Sequence, residues 1–493
     1  MGLSNRARIH RWLGKPYAYP QTIDQQKKFQ RLGEHNALTL FHAAAVRIPA
    51  YKDFLRSHKI IHTRIKTIKD FTYIPITTKE NYVEAYDIED RVWDGKMAQS
   101  HMISTSSGTT GVSMYWPRSL EHEIDGAIVH EFFLRSEFHV DKKSTLFING
   151  FALGNWIAGT FTQSAMQLVA WKGYPITLMS PGYNLEAILS VVKDVSPLYE
   201  QTIITGHTPF LKEVVEAIVA KNLHTGNVIN LLGTGQGITE SWRAYIGATL
   251  RRKTNEHTVV NLYGSADASL MGFETPTSID MRKWIEVTNK TKELFNDVRL
   301  PSLYQYDAQR IYFEAIHGEL CITKNGGSPL VRYNIHDAGG VYRYEDLMKT
   351  VPKVKRLSME KKYPWKLPFV YLFGRDKFMV KLYGANIYVE HVQKVVDHPR
   401  VQTHLTGRFI LEVLYDSHEN PTLYVRIESR SPKIESNVIP EDLVKIFVSE
   451  VSKINSEYKF ITETMGKKAY PHIVIYPHGY SKYFPKNVTK KTS

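Results

Sequence analysis

Apolar residues in the first hundred positions recur at spacings of three and four, the period of a helix with one buried face. The stretch QQKKFQRLGEHNALTLFHAAAVRIPAYKDFL shows this pattern, and Pro49 marks the expected end of its main helix. The pattern therefore predicts a mainly helical amino-terminal segment.

Short apolar runs then alternate with helical patterns as far as about residue 234. A first helix is predicted at HEIDGAIVHEFFLRSEF. The predicted strands that follow are STLFING, PITLMSP, QTIITG and VINLLGTG, and the helices between them are GTFTQSAMQLVAWKG, NLEAILSVVKDV and PFLKEVVEAIVAKNL. This alternation is typical of an α/β fold with a parallel sheet, in which ligands bind at the carboxyl ends of the strands.

The pattern becomes β-rich from about residue 300, with runs such as RIYFEA, GELCITK and VYRYED, and later RFILEVLYD and TLYVRIES. A chain of 493 residues is also too long for one ordinary domain. We place a boundary near Gly374, which predicts an amino-terminal domain over residues 1–374 and a smaller α+β domain over residues 375–493.

The composition is that of a folded protein, with 43% hydrophobic and 12% aromatic residues. Cys321 is the single cysteine, which excludes an internal disulfide and a cysteine zinc site, and its strand-like surroundings predict a buried thiol. The amino terminus lacks the apolar core of a signal peptide. The most apolar run, LFINGFALGNWIAGTF, is interrupted by Asn and Gly and is shorter than the ~20 residues of a spanning helix. We expect a soluble, cytoplasmic protein.

The formal net charge of +14 favours polyanionic partners. The basic residues are spread along the chain and carry no recognisable nucleic-acid-binding module, so we expect no nucleic-acid function. A nucleotide, a phosphorylated thiol carrier and an acidic carrier protein all explain the charge. The chain also lacks a GxxxxGK[ST] phosphate loop and a G-x-S-x-G nucleophile motif.

The stretch ISTSSGTTGVSMYWP concentrates hydroxyl groups and glycines between apolar segments. Glycine lets the backbone approach a ligand closely, and successive backbone N–H groups form a concave site for an anion. Phosphate is the anion that this loop predicts. On local composition alone, a polar connection between two strands is an equally good interpretation.

Further glycines and carboxylates follow predicted strands. The run VINLLGTGQG ends in Gly233, Gly235 and Gly237, a backbone that a flat ring can approach. The run VVNLYGSAD leads to Asp267, and SPLVRYNIHD ends in Asp337, a carboxylate suited to two ribose hydroxyls. Further along, LFGRDKFMVKLYG supplies Arg375, Lys377 and Lys381. Each signal alone is weak, because each is more often an ordinary turn or a solvated loop.

Together and in this order, the motifs resemble the adenylate-forming (acyl-CoA synthetase) superfamily, in particular its phenylacetate–coenzyme A ligase-like and capsule-biosynthesis-protein-like branch. The resemblance extends from about residue 35 to the end, and the glycine–hydroxyl loop is its most specific part. It implies a large amino-terminal domain with mixed sheets and helices, and a small mobile carboxy-terminal domain. It also implies two steps, in which a carboxylate attacks the α-phosphate of Mg-ATP and a thiol or amine then displaces AMP.

The resemblance also implies roles for individual residues. The β- and γ-phosphates would be bound by Ser106, Ser107, Gly108, Thr109, Thr110 and Gly111, with Thr109 also catalytic. The adenine would lie against Gly235, Gln236, Gly237, Tyr263 and Gly264. Asp337 would bind the ribose, and Arg375 the ribose or a phosphate. Asp267, where the family usually has Glu, would bind Mg²⁺ and take part in catalysis.

Two lysines follow from the same resemblance. Lys377 occupies the hinge between the two domains. Lys486 is the candidate for the catalytic lysine of the adenylation step, where its charge would stabilise the reacting α-phosphate. Lys490 and Lys491 are rivals for this role, and a merely solvated tail is the alternative.

The chain departs from the family pattern at several positions. No lysine follows the glycine–hydroxyl loop, and Gln236, His336 and Pro485 replace Glu, Gly and Gly. These changes are compatible with ATP binding and bear mainly on the second step. The candidates for the acyl pocket are Phe151, Trp156, Phe161 and His207, which are equally explained as core residues. As pocket residues they predict an aromatic or otherwise apolar, flat acid.

The sequence thus predicts an ATP-dependent, AMP-forming ligase that uses Mg²⁺ and activates a carboxylic acid, with coenzyme A as the default acceptor. An acyl carrier protein on another chain, or an amine, is the first alternative. A non-catalytic nucleotide-binding scaffold in a biosynthetic assembly is the second. The oligomeric state is left open, and a homodimer is allowed.

Overall fold

The structure is a computed structural model. It describes residues 9, 12–14, 17–105, 114–223, 226–235, 237–252, 258–374, 379–383, 385–415, 421–432 and 443–484. Among them, no helix is both long enough and apolar enough to cross a membrane.

The amino-terminal segment is helical, as its pattern predicts. Helices α1 (Ile23–Arg47) and α2 (Pro49–Ser57) are separated at Ile48, and Pro49 opens the second helix. Proline is favoured at a first helical position because its missing N–H would have no helical partner there. The residue thus ends one helix and begins the next.

Most predicted elements of the next region are confirmed, with small shifts at their ends. A two-stranded ribbon of β1 (Met102–Thr105) and β2 (Tyr115–Arg118) precedes α3 (Leu120–Phe138). The alternating part consists of β3 (Thr145–Asn149), α4 (Ile157–Trp171), β4 (Ile176–Met179), α5 (Leu185–Asp194), β5 (Gln201–His207), α6 (Thr208–Ala220) and β6 (Val228–Thr234).

Further strands and helices follow from residue 240 to residue 374. They are α7 (Glu240–Thr249), β7 (Val259–Ser265), β8 (Ser269–Phe273), α8 (Pro276–Thr288), α9 (Thr291–Phe295), β9 (Ser302–Gln305), β10 (Ile311–Ile316), β11 (Glu319–Lys324), β12 (Leu330–Tyr342), α10 (Tyr344–Met348), α11 (Lys353–Lys362) and β13 (Phe369–Gly374).

One eleven-stranded sheet of described strands organises this part of the chain, in the order β10-β11-β12-β13-β9-β8-β7-β6-β5-β3-β4. The strands β4, β3, β5 and β6 are parallel, as predicted, and β7 is parallel to β6. The β-rich run between residues 300 and 374 does not form a separate sheet, because β9 to β13, together with β8, continue the same sheet with antiparallel pairing. The later strands β16 (Leu405–Tyr415), β17 (Pro421–Ser429) and β18 (His472–Tyr476) form a sheet of their own.

The parallel half of the sheet is buried on both faces. Neighbouring residues of one strand point to opposite faces, and Phe147 and Ile148 of β3 belong to two different hydrophobic clusters. Ile203 and Ile204 of β5 divide in the same way. Helices cover both sides, which explains why these strands are continuously apolar in sequence.

The carboxy-terminal elements are α+β and have a hydrophobic cluster of their own, which includes Leu382, Val425 and Phe447. They are β14 (Met379–Leu382), β15 (Ala385–Tyr388), α12 (Val389–Val396), β16 (Leu405–Tyr415), β17 (Pro421–Ser429), α13 (Leu443–Ile454), α14 (Ser456–Met465) and β18 (His472–Tyr476). The predicted boundary near Gly374 falls at the end of β13 and remains a prediction.

Candidate nucleotide and acyl site

The carboxyl ends of the parallel strands lie side by side at one edge of the sheet. His207 at the end of β5 is in register with Thr234 of β6, and Thr234 is in register with Leu262 of β7. The loops after β5, β6 and β7 therefore start at one place, where the fold class predicts a ligand.

Gly235 and His207 are in close contact at this edge. Gly235 has a φ of +97°, and a Cβ added to it would lie 2.5 Å from Nδ1 of His207. Only glycine satisfies both conditions. The ring of Phe151 meets His207 edge-on, with 5.8 Å between the ring centroids. The structure thus brings two pocket candidates together beside the loop predicted to contact adenine.

Tyr263 and Asp337, two predicted site residues 74 positions apart, form a hydrogen bond. The Tyr263 hydroxyl donates to Oδ2 of Asp337 over 2.8 Å, and both residues are buried. The Tyr263 ring stacks on Tyr304 and Phe313. Its faces are therefore largely covered, and the exposed backbone of Gly264 is the more accessible surface for an adenine.

Asp267 lies in the turn between β7 and β8 and is half-buried. The hydroxyl of Tyr333, on β12, donates to Oδ2 of Asp267 over 2.7 Å. Asp267 also lines a narrow cleft together with Trp116, His122, Lys324 and Asn325.

The acidic side chains near Asp267 are too few to hold a metal ion unaided. No group of three or more His, Cys, Asp or Glu side chains with metal-binding geometry occurs among the described residues. Magnesium is commonly held by one or two carboxylates together with phosphate oxygens and water. A single carboxylate in a cleft that is also lined by Trp116, which follows the predicted phosphate loop in sequence, fits a magnesium ion that arrives with a nucleotide.

The two ends of the glycine–hydroxyl loop are firmly anchored. Thr105 pairs with Tyr115 across the β1–β2 ribbon, and its backbone N–H donates to the carbonyl of Asn155 over 2.8 Å. The fully buried guanidinium of Arg118 donates to Ser104, Thr160 and Glu123 over 2.9, 2.8 and 2.6 Å. The strands that carry the loop are thereby tied to α3 and α4.

Several predicted site residues lie outside the described part of the chain, so their placement stays a prediction. They are Ser106, Ser107, Gly108, Thr109, Thr110, Gly111, Gln236, Arg375, Lys377 and Lys486.

The other two pocket candidates occupy different surroundings. Trp156 forms a bridge with Thr105, beside the anchored start of the loop. Phe161 lies in the packing between α3 and α4, where a Cβ added to Gly126 would sit 2.3 Å from its ring. Its centroid is 5.3 Å from that of His122. Phe161 is thus part of the core on the side of the Asp267 cleft.

A larger cavity of about 1050 Å³ lies between α1 and the start of α3. None of the described residues predicted for the site lines it. Its arginines are already paired, Arg47 with Asp94 and Arg310 with Asp125. We therefore place the candidate site at the strand ends.

Sequence reasoning missed Arg118, His122, Lys324 and Tyr333. All four are buried beside predicted site residues. Burial lowers the pKa of Lys324 to about 8. Burial also lowers the pKa of His122 well below its usual value, and the nearby charges of Lys324 and Arg118 act in the same direction. No local pattern marks these residues, because each meets the site only through tertiary contacts.

Comparison with known proteins supports the fold. The sequence matches no protein-family model and no curated protein sequence. Its structure is similar to 2-hydroxyisobutyryl-CoA ligase in the postadenylation state with R3-HIB-AMP, with a TM-score of 0.64 and 13% identity over 95% of this chain and 88% of that one. For the same ligase with 2-HIB-AMP and CoA in the thioesterification state, the TM-score is 0.55 and the identity 12%, over 97% and 94% of the chains. The chain therefore has the fold of this acyl-CoA ligase, as the predicted fold class requires.

Proposed function

We propose that the protein is an ATP-dependent, AMP-forming ligase that activates a carboxylic acid as its acyl-adenylate. The observation that supports this most directly is the contact between Tyr263 and Asp337, at 2.8 Å, at the strand edge of a fold shared with an acyl-CoA ligase. It joins two separate motifs of the predicted nucleotide site.

In this proposal the nucleotide is held from several sides. The loop of residues 106–111 surrounds the terminal phosphates with hydroxyl and N–H donors. Asp337, fixed by Tyr263, accepts hydrogen bonds from the ribose. Asp267 holds the magnesium of Mg-ATP, which when bound neutralises phosphate charge.

The acid lies beside Phe151 and His207, and its carboxylate oxygen attacks the α-phosphate. A new P–O bond forms and pyrophosphate leaves. Lys486 stabilises the charge that develops at the α-phosphate. Coenzyme A is the proposed acceptor, whose thiol attacks the acyl carbon and releases AMP. The aromatic surroundings favour an aromatic or otherwise apolar acid.

The test is acid-dependent pyrophosphate release from Mg-ATP across a panel of aryl and fatty acids. Hydroxylamine is the first acceptor, because it traps any acyl-adenylate, and coenzyme A replaces it in a parallel series. Release with both supports a coenzyme A ligase. Release with hydroxylamine alone indicates a carrier protein or an amine as the acceptor. ATP binding without release for any acid would contradict the proposal and favour a nucleotide-binding scaffold.

A further inference from the structure

Lys324, the last residue of β11, is buried beneath the turn that carries Asp267. Its Nζ donates to the carbonyl oxygen of Leu270 over 2.8 Å, to Oγ of Ser269 over 3.2 Å, and also to the carbonyl oxygen of Ala268. Three consecutive residues, Ala268 at the end of the turn and Ser269 and Leu270 at the start of β8, are thus held by one ammonium group from another strand of the sheet.

These contacts use the full donor capacity of the side chain. An ammonium group has three N–H donors and no acceptor, and three acceptors surround Lys324. A group occupied in this way has no donor left for a phosphate. Its contacts therefore indicate that it positions the turn and does not contact the nucleotide.

His122 holds the same turn from α3. Its Nε2 lies 2.5 Å from Oγ of Ser269, and that hydroxyl donates to the carbonyl of Ala268 over 2.6 Å. A hydroxyl has one proton to donate, so the hydrogen bond from His122 requires a proton on Nε2. The lowered pKa of His122 keeps the imidazole neutral.

The turn held in this way has a strained backbone. Ser269 has a φ of +53°, a region that costs a non-glycine residue about 1 kcal/mol or more. A Cβ added to Gly264 would lie 2.7 Å from the carbonyl oxygen of Ser269, so the two sides of the turn are in close contact. Such a conformation persists only where its surroundings enforce it.

We infer that Lys324 is a positioning residue for Asp267. Together with His122, it fixes the strained turn so that the Asp267 carboxylate is oriented toward the metal of a metal–nucleotide complex. The inference rests on the proposed function. The charged groups around Lys324 are Asp125 and Arg310, in addition to the neutral His122.

The test compares Lys324→Met with Lys212→Met. Both lysines are buried and both donate to backbone carbonyls. The acceptors of Lys212 are Gln402 and Leu405, which are far in sequence from the turn that carries Asp267. Affinity for Mn²⁺, a paramagnetic substitute for Mg²⁺, is measured by electron paramagnetic resonance with saturating ATP. Loss of a residue that orients a metal ligand typically weakens metal binding by roughly 10- to 100-fold. We expect that loss for Lys324→Met and an unchanged affinity for Lys212→Met.

Hydrogen exchange of the ligand-free proteins supplies a second readout. In Lys324→Met, the amides of residues 264–272 should exchange faster, whereas Lys212→Met should leave them unchanged. Ser269→Ala, a milder change that removes the shared hydroxyl, should shift both readouts in the same direction by a smaller amount. If Lys324→Met does not fold, Ser269→Ala carries the test alone.

The outcomes separate the two ideas. The role of Lys324 is overturned if the wild-type protein binds Mn²⁺ and the affinity is unchanged in Lys324→Met or, where only Ser269→Ala folds, in that variant. This outcome leaves the proposed function standing. Weaker affinity without faster exchange of the turn also overturns it. Absence of Mn²⁺–ATP binding by the wild-type protein overturns the proposed function and, with it, the role of Lys324.

Discussion

The Lys212 ammonium nitrogen lies 2.9 Å from the carbonyl oxygen of Leu405, 193 residues away, and it also donates to the carbonyl of Gln402. This contact joins α6 to the start of β16. Nearby, the hydroxyl of Thr239 donates to Asp397 over 2.7 Å. Burial lowers the pKa of Lys212 to about 7 and raises that of Asp397 to about 6. Two ionisable groups are therefore buried where the carboxy-terminal elements contact α6 and the residue before α7.

Asp397 should make the stability of this junction depend on pH. Its folded pKa of about 6 lies above its ordinary value of 3.8, so between these values the folded state binds more protons than the unfolded state. The contribution of Asp397 to the free energy of unfolding is therefore largest below about pH 4 and falls as the pH rises through about 6. Urea unfolding of the wild type and Asp397→Asn at pH 4.5 and pH 7 measures this. The free energy of unfolding of Asp397→Asn, relative to that of the wild type, should be greater at pH 7 than at pH 4.5. An equal difference at both pH values would contradict the assignment.

Tyr263→Phe should weaken the predicted ribose site. The change leaves Oδ2 of the buried Asp337 without its phenol donor, which costs about 1–3 kcal/mol in the free energy of unfolding. ATP affinity, measured by isothermal titration calorimetry, should fall as well. Tyr304→Phe is the matched control. The Tyr304 ring stacks on the ring of Tyr263, and its hydroxyl accepts a hydrogen bond from the side-chain amide of Asn261. An equal loss of ATP affinity in both variants would show that Tyr263 acts only through packing.

Gly235→Ala should displace His207, because the new methyl group would lie 2.5 Å from Nδ1 of that ring. We expect catalytic efficiency with the acid to fall by at least about tenfold, since small displacements of positioning groups are costly, and the KM for the acid to rise more than the KM for ATP. Gly173→Ala controls for backbone strain, because Gly173 has a φ of +96° with nothing within 4 Å of the added Cβ. That variant should lose only about 1 kcal/mol of stability, and a matching loss of activity in it would refute the steric explanation.

Arg118→Met should destabilise the protein strongly. The substitution leaves the buried carboxylate of Glu123 without its guanidinium partner, which typically costs about 3–5 kcal/mol. Lys221→Met breaks the exposed pair with Glu186 and should change the stability by less than about 1 kcal/mol. Thermal unfolding followed by circular dichroism compares the two. Adding Glu123→Met to Arg118→Met should recover much of the loss, and no recovery would mean that the other contacts of Arg118 dominate.

Local patterns were sufficient to predict most elements of the alternating region. Apolar runs bounded by glycine and proline identify β3, β5 and β6, and the helical period identifies α5 and α6. The buried position of Cys321 was also predicted correctly. The continuation of the sheet through β8 to β13 was not predicted, because strand pairing between distant segments leaves no mark on either segment alone.

The same limit applies to the site. Tyr263 is recognisable as a site candidate because it precedes Gly264, and Asp337 because it ends the motif SPLVRYNIHD. The structure brings the two together through a hydrogen bond. Lys324 has no such signal, since it ends an ordinary apolar strand, and its proposed role depends on its tertiary contacts with residues 268–270. Arg118 is equally inconspicuous in sequence, and only its hydrogen bonds to Ser104 and Thr160 show that it anchors the strands that carry the loop.

The long strand β12 contributes Tyr333, the hydrogen-bond partner of Asp267, and, four residues later, Asp337 itself. Under the proposed function, one continuous segment therefore sets the spacing between the metal ligand and the ribose ligand. The acid candidates lie on other strands, because Phe151 follows β3 and His207 is the last residue of β5. Recognition of the nucleotide and choice of the acid are thus built on separate strands. Substrate preference could then diversify, in evolution or in the laboratory, by exchanging residues after β3 and β5 while β12 stays constant.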